Sequence, residues 1–244
     1  MKAIVTGHSR GLGAAIAATL LERGIEVLGI ARQSNSALAA AHGQQLTEVT
    51  LDLADQASVL HWLSLGDFQA FLGDADEALL INNAGTVAPV APPGRQGPAA
   101  VALAVCLNVG APLMLTDAFV TATAGLRERR VLHVSSGAAR KAYAGWSIYC
   151  ATKAALDHHA RAVAEDAVDG LRICALAPGV IDTDMQTTLR GSDPDDFPAL
   201  PRFEALKREG GLSAPEDCAR QLVDYALAAD FGRQVVADLR DLAG

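Results

Sequence analysis

The stretch TGHSRGLG, residues 6–13, decides the fold, because it joins a short apolar run, Lys2–Thr6, directly to a helical pattern, Leu12–Arg23. Glycines spaced in this way let a backbone turn tightly and approach a pyrophosphate, and the following helix N-terminus offers free N–H groups. A plain structural turn would also tolerate such glycines, but the position at the first strand–helix junction favours dinucleotide binding. The residues predicted to contact the dinucleotide here are Gly7, Ser9, Arg10, Gly11, Leu12 and Gly13.

Strand and helix patterns alternate along the rest of the chain. Further strands are predicted at Glu26–Ile30, Leu46–Leu51, Ala78–Asn82, Arg130–Ser135, Leu171–Ala177 and Gln234–Asp238. Helices are predicted at Ser34–His42, Asp55–Leu65, Val101–Ala124, Ser147–Ala167 and Pro215–Ala229. The early strands are almost entirely apolar, as expected for strands buried on both faces of a parallel sheet. The predicted fold class is therefore α/β, a doubly wound Rossmann-type parallel sheet of about seven strands with helices on both faces.

The chain is expected to form a single domain over residues 1–244, with one insertion. Residues 185–212, rich in Gly, Pro and Asp, follow the sixth predicted strand and look irregular. Loops in this position often cover a substrate, so the segment is predicted to be a lid.

Composition excludes several classes of protein. The 244 residues are 50% hydrophobic and 20% charged, which is unlike a disordered chain. A net charge of −8 repels phosphate backbones and anionic lipid, so neither a nucleic acid nor a membrane surface is an expected partner. The uncharged run 96–116 contains prolines and an asparagine, and is interpreted as two core helices that meet at a bend.

Cysteine and histidine usage points to a cytoplasmic protein without a metal site. The four cysteines have no paired spacing and are interpreted as reduced thiols. The six histidines do not cluster. His8, inside the glycine loop, is expected to face solvent.

The end of the second strand indicates which dinucleotide is bound. A carboxylate commonly follows this strand and holds the adenine ribose, but here Ala31 and Arg32 stand at the strand end. An arginine can instead grip a 2′-phosphate, and Arg10 in the glycine loop points toward the same region in this architecture. The pair favours NADP(H) over NAD(H), although both arginines could also be ordinary surface charges.

A group of polar residues marks the predicted reactive site. Tyr149 and Lys153 are four apart in a helical pattern and therefore share one face. Ser136 follows the fifth predicted strand, and Asn108 lies in the apolar helix. Because the carboxyl ends of parallel strands meet at one edge, these residues and the sequence NNAG, residues 82–85, should converge on one cleft.

Taken together, these motifs resemble the short-chain dehydrogenase/reductase family over essentially the whole chain. The resemblance includes TGHSRGLG, NNAG and PGVIDT at residues 178–183. It implies a catalytic tetrad of Asn108, Ser136, Tyr149 and Lys153. It also implies that Tyr149 and Lys153 contact the cofactor, together with Asp52, Leu53, Asn83, Ala84, Gly85, Pro178, Gly179, Ile181 and Thr183.

The resemblance implies carbonyl chemistry. Hydride transfer from reduced nicotinamide to a carbonyl carbon leaves charge on oxygen, which Tyr149 would protonate, and Lys153 would lower the tyrosine pKa. Residues 144–153 and the chain end are similar to the sepiapterin reductase and benzil reductase branch, which suggests a small-molecule substrate such as a vicinal diketone or a pterin side-chain carbonyl. Residues proposed to contact the substrate are Trp146, Met185 and Asp238.

Other functions remain open at this stage. Within the same family, the chain could be an alcohol dehydrogenase or an acyl-carrier ketoreductase. From another class, it could be a catalytically silent NADP-sensing protein. Long helices rich in small residues suggest a homodimer or homotetramer.

Overall fold

The computed structural model describes residues 1–73 and 75–242. Within these residues, seven strands pair in parallel in the order β3-β2-β1-β4-β5-β6-β7. The strands are β1 Lys2–Thr6, β2 Glu26–Ala31, β3 Leu46–Thr50, β4 Glu77–Asn82, β5 Glu128–Val134, β6 Leu171–Ala177 and β7 Val236–Asp238. The strand order reverses between β1 and β4, which opens a crevice at the carboxyl ends of these strands. The predicted doubly wound sheet is confirmed.

Helices cover both faces of the sheet. They are α1 Gly11–Glu22, α2 Ser36–His42, α3 Gln56–Ser64, α4 Asp67–Leu72, α5 Pro98–Val105, α6 Ala111–Ala122, α7 Ser147–Glu165, α8 Asp184–Arg190, α9 Leu200–Arg208, α10 Pro215–Leu227 and α11 Leu239–Leu242. One core cluster joins the sheet to α1 and α10, with Leu20 and Leu222 fully buried. The other joins the opposite face to α3, α4, α6 and α7, with Phe68 and Phe119 at its centre.

The segment predicted to be an irregular lid contains two helices. Residues 184–190 and 200–208 form α8 and α9, which the sequence analysis missed. The Gly-, Pro- and Asp-rich piece between the two helices, residues 191–199, is irregular; Pro201 lies in the first turn of α9, and Asp184, just before the segment, lies in the first turn of α8. Both positions are compatible with a helix, since a proline there loses no intrahelical hydrogen bond and a carboxylate favours the helix dipole.

The long apolar run forms one continuous helix rather than two helices that meet at a bend. A π turn, Cys106–Gly110, joins α5 to α6 in one run of helix from Pro98 to Ala122. By length and composition alone this helix could cross a membrane, and its most apolar 18-residue window is only 33% buried. The expectation of two packed core helices holds for α6, whose Leu115 and Phe119 are buried in the core, but is wrong for α5, where Leu103 and Val105 are exposed.

Candidate active site

The glycine loop has the geometry of a phosphate cradle. Gly7 and Gly11 adopt positive φ angles of 72° and 55°, which favour glycine. A side chain on Gly13 would begin 2.1 Å from the Gly7 carbonyl oxygen, so the loop closes tightly only with glycine there. Arg10 precedes α1 without a side-chain cap, and the first turn of α1 carries no acidic residue. The amide groups of this turn therefore suit an anion such as pyrophosphate.

Three loops meet at the crevice. Thr6 Oγ1 accepts hydrogen bonds from the backbone amides of Asn83 and Ala84, both at 2.9 Å, which joins the ends of β1 and β4. Asn83 Nδ2 also donates to the Thr6 carbonyl oxygen, at 2.9 Å. On the other side, the Thr183 methyl group lies 3.4 Å from the point where a side chain on Gly11 would begin. The motifs after β1, β4 and β6 therefore lie side by side.

His8 is fully buried, so the expectation that it faces solvent is wrong. Its Nε2 lies 2.7 Å from Glu48 Oε1 on β3. The ring occupies the space above Gly29, where an added side chain would begin 2.4 Å from the imidazole. Glu48 also accepts a hydrogen bond of 2.6 Å from the Asn35 amide. Gly29, inside the apolar strand β2, was the sequence signal that could have predicted the close approach of another side chain, because a glycine within a strand often marks such an approach.

The arginines predicted to select the cofactor are both exposed. Arg32 is exposed at the end of β2. Arg10 forms an ion pair with Asp184 at 3.2 Å, in which both side chains are largely exposed. An exposed pair of this kind contributes little free energy, so Arg10 can exchange its partner readily. Asp52 accepts a hydrogen bond from the Ala54 amide at 2.9 Å, and Leu53 beside it is buried.

The structure brings Ser136 close enough to Tyr149 for its side chain to lower the pKa of the phenol. Ser136 follows β5, and its Oγ accepts a bond of 3.1 Å from the Ala138 amide, which holds the strand end in a 3-10 turn. Tyr149 lies in the first turn of α7 and is only 7% exposed. Burial raises the pKa of Tyr149 to about 12, against the smaller opposing effect of Ser136. The phenol is therefore protonated at neutral pH, as a proton donor must be.

Lys153 lies one turn after Tyr149, with Nζ 5.7 Å from the centre of the tyrosine ring. Nζ donates a 2.8 Å hydrogen bond to the Val134 carbonyl oxygen. Burial lowers the pKa of Lys153 to about 8, while nearby Asp157 opposes that effect. Desolvation of the phenol dominates the pKa of Tyr149 in the chain alone, and the lowering of that pKa by Lys153 beside a bound nicotinamide stays a prediction.

Asn108 lies in the π turn between α5 and α6 and is buried. Its Oδ1 accepts from the Thr86 amide and its Nδ2 donates to the Thr86 carbonyl oxygen, both at 2.8 Å. Nδ2 also lies 3.1 Å from Thr152 Oγ1 on α7. A side chain on Gly85 would begin 3.2 Å from Asn108 Oδ1 and 3.7 Å from Lys153 Nζ. Asn108, Gly85 and Lys153 therefore surround one small volume.

Two of the three predicted substrate residues lie near Tyr149. An aromatic cluster covers the tyrosine and consists of Tyr143, Trp146, Tyr149, Phe197 and Phe203. Trp146 lies at its centre, and Met185 packs against the same cluster. The cluster joins the loop before α7 to the segment that carries α8 and α9.

Asp238, the third predicted substrate residue, is engaged by arginines. Arg240 binds its carboxylate through two hydrogen bonds, at 2.8 and 2.7 Å. Arg140 approaches the same carboxylate at 4.0 Å. Arg240 holds the pKa of Asp238 below its usual value. This carboxylate is a poor candidate for direct substrate binding, because a ligand would have to displace a bidentate partner.

Sequence reasoning missed the polar groups buried behind the tetrad. Directly after β5, Ser135 Oγ hydrogen-bonds Asp157 of α7. Further into the core, His133 Nδ1 lies 3.2 Å from Asn82 Nδ2, and its Nε2 lies 3.1 Å from His159 Nδ1. These residues are far apart in the chain, so no local pattern could have paired them.

Comparison with known proteins supports the resemblance to the short-chain dehydrogenase/reductase family that the sequence motifs indicate. The family model described as short chain dehydrogenase matches residues 1–193. A benzil reductase ((S)-benzoin forming) from Bacillus cereus is 38% identical over 240 residues, which cover 93% of this chain and 94% of the relative. A sepiapterin reductase from Meriones unguiculatus is 33% identical over 255 residues, which cover 98% and 95% of the two chains.

A solved structure gives the same result. A short-chain dehydrogenase/reductase from Burkholderia vietnamiensis is 51% identical, and the match covers 99% of this chain and 97% of that chain with a TM-score of 0.72. The matched sequence, the seven-stranded parallel sheet and the oxidoreductase relatives agree with one another. This chain belongs to the short-chain dehydrogenase family and is an oxidoreductase.

Proposed function

We propose that this protein is an NADPH-dependent carbonyl reductase in which Tyr149 supplies the proton. The observation that carries the proposal is the buried, protonated phenol of Tyr149, which lies close to Ser136 and is backed by Lys153 one helical turn away. The Tyr149 phenol is a weak acid, and the Ser136 hydroxyl lies beside it. Together they are suited to protonate a substrate carbonyl oxygen, which gains negative charge as the carbonyl carbon is reduced.

The bound dinucleotide would supply a hydride to the carbonyl carbon. Ser136 donates a hydrogen bond to the carbonyl oxygen and stabilises the negative charge that develops there. Tyr149 transfers its proton to that oxygen, which completes the alcohol and leaves a phenolate. The charged Lys153 stabilises the phenolate, so it assists at the stage where the phenol has lost its proton.

Asn108 and Lys153 have supporting roles in this proposal. Asn108 is held by the Thr86 backbone on both sides of its amide and lies close to Lys153 across Gly85. This arrangement keeps the lysine beside the crevice, where its ammonium group can hold the ribose hydroxyls of the cofactor. It also suits Asn108 to anchor a water molecule that returns a proton through Lys153.

The preference for NADPH rests on the charges around the adenosine end. Arg32 is exposed at the end of β2, where a carboxylate would repel a 2′-phosphate. The acid that lies nearby, Glu48, is occupied by His8 and by the Asn35 amide. Arg10 is held only by an exposed ion pair with Asp184 and is available to a phosphate.

The aromatic cluster favours a flat apolar carbonyl compound. Trp146 lies directly against Tyr149 and is backed by Phe197, and an aromatic ring beside the phenol suits a flat apolar group next to the substrate carbonyl. Benzil, which names one relative, has two adjacent carbonyl groups between aromatic rings. We therefore propose vicinal diketones with aromatic substituents as the substrate class. Residues 185–212 form the lid over them.

The test is a substrate screen with a matched variant. Purified enzyme is mixed with NADPH and with benzil, sepiapterin or an acyl thioester, and loss of the reduced-nicotinamide absorbance is followed. We expect turnover of diketones, and we expect Tyr149→Phe to bind NADPH while losing at least about 100-fold in kcat. NADPH binding without turnover on any carbonyl would indicate a sensing protein and overturn the proposal.

We also propose that the chain forms a homodimer or homotetramer. Leu103 and Val105 on α5 are large apolar side chains left exposed in the single chain. Burial of such side chains against a second copy is favourable. Light scattering of the purified protein should give a mass of two or four chains; a monomer at all concentrations would contradict this.

A further inference from the structure

Asp157 is a buried carboxylate behind the tetrad to which the proposed mechanism gives no role. Its residue is only 2% exposed, on the face of α7 that also carries Tyr149 and Lys153. The three residues follow at intervals of four, so each lies one turn beyond the last. Burial of a carboxylate is costly unless the group is paired, so this position calls for an explanation.

The partner of Asp157 adjoins the proposed catalytic serine. Ser135 Oγ donates a short hydrogen bond to Asp157 Oδ1, and Ser135 is the residue directly before Ser136. Ser135 is buried as well. The bond therefore ties the end of β5, which presents Ser136, to the helix that presents Tyr149 and Lys153.

A second tie between the same two elements uses the proposed catalytic lysine. Lys153 Nζ donates to the Val134 carbonyl oxygen, one residue before Ser135. Lys153 is also proposed to hold ribose hydroxyls and to stabilise a phenolate. Because these roles need its three N–H donors, it is poorly suited to hold the end of β5 against α7 throughout the reaction. The Ser135–Asp157 bond has no such competing duty and can hold the strand end throughout the reaction.

We propose that Asp157 is a positioning residue of the carbonyl reductase: it fixes Ser136 through Ser135, and its negative charge keeps the buried ammonium group of Lys153 charged. This inference rests on the proposed function, since it concerns the residues assigned there to proton transfer.

The charged groups around Asp157 are compatible with this role. Arg140 Nε lies 3.9 Å from Asp157 Oδ2 and also approaches Asp238, so its charge is shared between two carboxylates. Burial raises the pKa of Asp157, and the Ser135 bond opposes that effect first, followed by the nearby cations. The titratable and charged groups that face Asp157 or Lys153 are Tyr149 and Arg161 on α7, His133 on β5, Cys174 on β6, Arg140, and Asp238 on β7 beyond Arg140.

The sign of the charge effect follows from Lys153. Burial holds the pKa of Lys153 at about 8, below its ordinary value of 10.5, and Asp157 raises it. Loss of the carboxylate charge therefore lowers the lysine pKa further, and Lys153 loses its proton at a lower pH. If the pKa falls by about one unit, the charged fraction near pH 8 falls from about one half to about one tenth.

The experiment compares Asp157→Asn with Ser135→Ala. Asparagine keeps an oxygen that accepts from Ser135 and removes the charge at every pH, whereas Ser135→Ala removes the bond and leaves a carboxyl group whose pKa rises further but which can still ionise at alkaline pH. The matched control is Asp166→Asn, the same chemical change at the exposed end of α7. For each variant, kcat is measured from about pH 6 to about pH 9.5, together with NADPH binding by fluorescence and the thermal midpoint.

In the plot of kcat against pH, the alkaline limb is the fall in kcat as Lys153 loses its proton. We expect Asp157→Asn to shift this limb to lower pH by about one unit. The loss of kcat should be about fivefold near pH 8 and less than about twofold near pH 6. Ser135→Ala should lower kcat by about 10-fold at every pH without moving the limb, because it loosens the serine and leaves a carboxyl group that can still ionise at alkaline pH. The Asp166→Asn control should match the wild type. A merely structural role for Asp157 would lower stability without shifting the limb.

Each outcome decides one proposal. An unshifted alkaline limb in a folded Asp157→Asn variant overturns the charge role. If Asp157→Asn fails to fold, Ser135→Ala still tests whether the Ser135–Asp157 bond positions Ser136. An unchanged kcat in Ser135→Ala overturns the positioning role. Failure of the proposed function itself is recognised separately, because Tyr149→Phe would then retain its activity.

Discussion

The rings of Trp146 and Tyr149 lie 4.7 Å apart, centre to centre, and are tilted by 37°. The indole also contacts Phe197 at 5.1 Å and Phe203 at 5.6 Å, on the segment that carries α8 and α9. Trp146 therefore couples the phenol proposed to give the proton to the segment proposed to cover the substrate. A change in the packing of the lid should therefore move the ring of Tyr149, because densely packed rings do not shift independently.

The first prediction concerns Trp146 itself. Trp146→Ala should lower the free energy of unfolding by about 3–5 kcal/mol, because it empties the centre of the aromatic cluster. Trp146→Phe should lose less than about 1.5 kcal/mol, since Trp146 Nε1 is buried without a hydrogen-bond partner among the described residues and its loss breaks no such bond. Urea unfolding checks both values. Equal stability of the two variants would contradict this account of the cluster.

The second prediction concerns the attachment of the lid. Arg95 Nη1 forms an ion pair with Asp196 Oδ1 at 2.8 Å, and Asp196 is mostly buried. Arg95→Gln should speed protease cleavage within residues 185–212 by about two- to fivefold, because a half-exposed pair contributes only about 0.5–1 kcal/mol. Limited proteolysis of the native protein measures the rate. Arg208→Gln is the control, since its pair with Glu209 is exposed on both sides. Equal cleavage of the two variants would show that the pair does not hold the lid.

The third prediction concerns cofactor choice. Arg32→Asp should lower kcat/KM with NADPH by at least about 10-fold and change the value with NADH little, because a carboxylate repels the 2′-phosphate that the arginine would bind. Initial rates with both cofactors give the ratio. Arg233→Asp, an equal charge change at another exposed arginine, should leave the ratio unaltered. Unchanged discrimination in Arg32→Asp would refute the role of this arginine.

The fourth prediction concerns acid stability. Burial lowers the pKa of His133 from 6.5 to about 3, and His159 beside it is lowered too. The unfolded chain therefore takes up protons first as the pH falls below 6.5, and His133 alone decreases the free energy of unfolding by about 1.4 kcal/mol per pH unit. His133→Gln should flatten this dependence between about pH 6.5 and about pH 4.5.

Denaturant unfolding at several pH values checks the slope. His158→Gln is the control, because His158 is exposed on the same helix as His159. The prediction fails if His133→Gln and the wild type lose stability in parallel on acidification.

Much of the fold could be predicted because its signals are local. Apolar runs such as Lys2–Thr6 and Leu171–Ala177 predict buried parallel strands, and each was found at the expected place. The glycines of the loop at residues 6–13 mark backbone that turns with positive φ or approaches closely, which a single residue type encodes. The spacing of Tyr149 and Lys153 follows from the helical repeat alone. The helices within the lid were missed, because proline and aspartate serve both loops and helix starts.

The sequence by itself therefore determined the order of strands and helices, the family and the residue types gathered at the crevice. Only the tertiary structure decided that His8 is buried against Glu48, that Arg240 binds the carboxylate of Asp238, and that Ser135 donates a hydrogen bond to Asp157. These pairs join residues of different strands and helices, mostly distant in the chain. The pKa values of Tyr149, Lys153 and His133 depend on burial in the same way, because desolvation is a property of the packed surroundings and not of the residue.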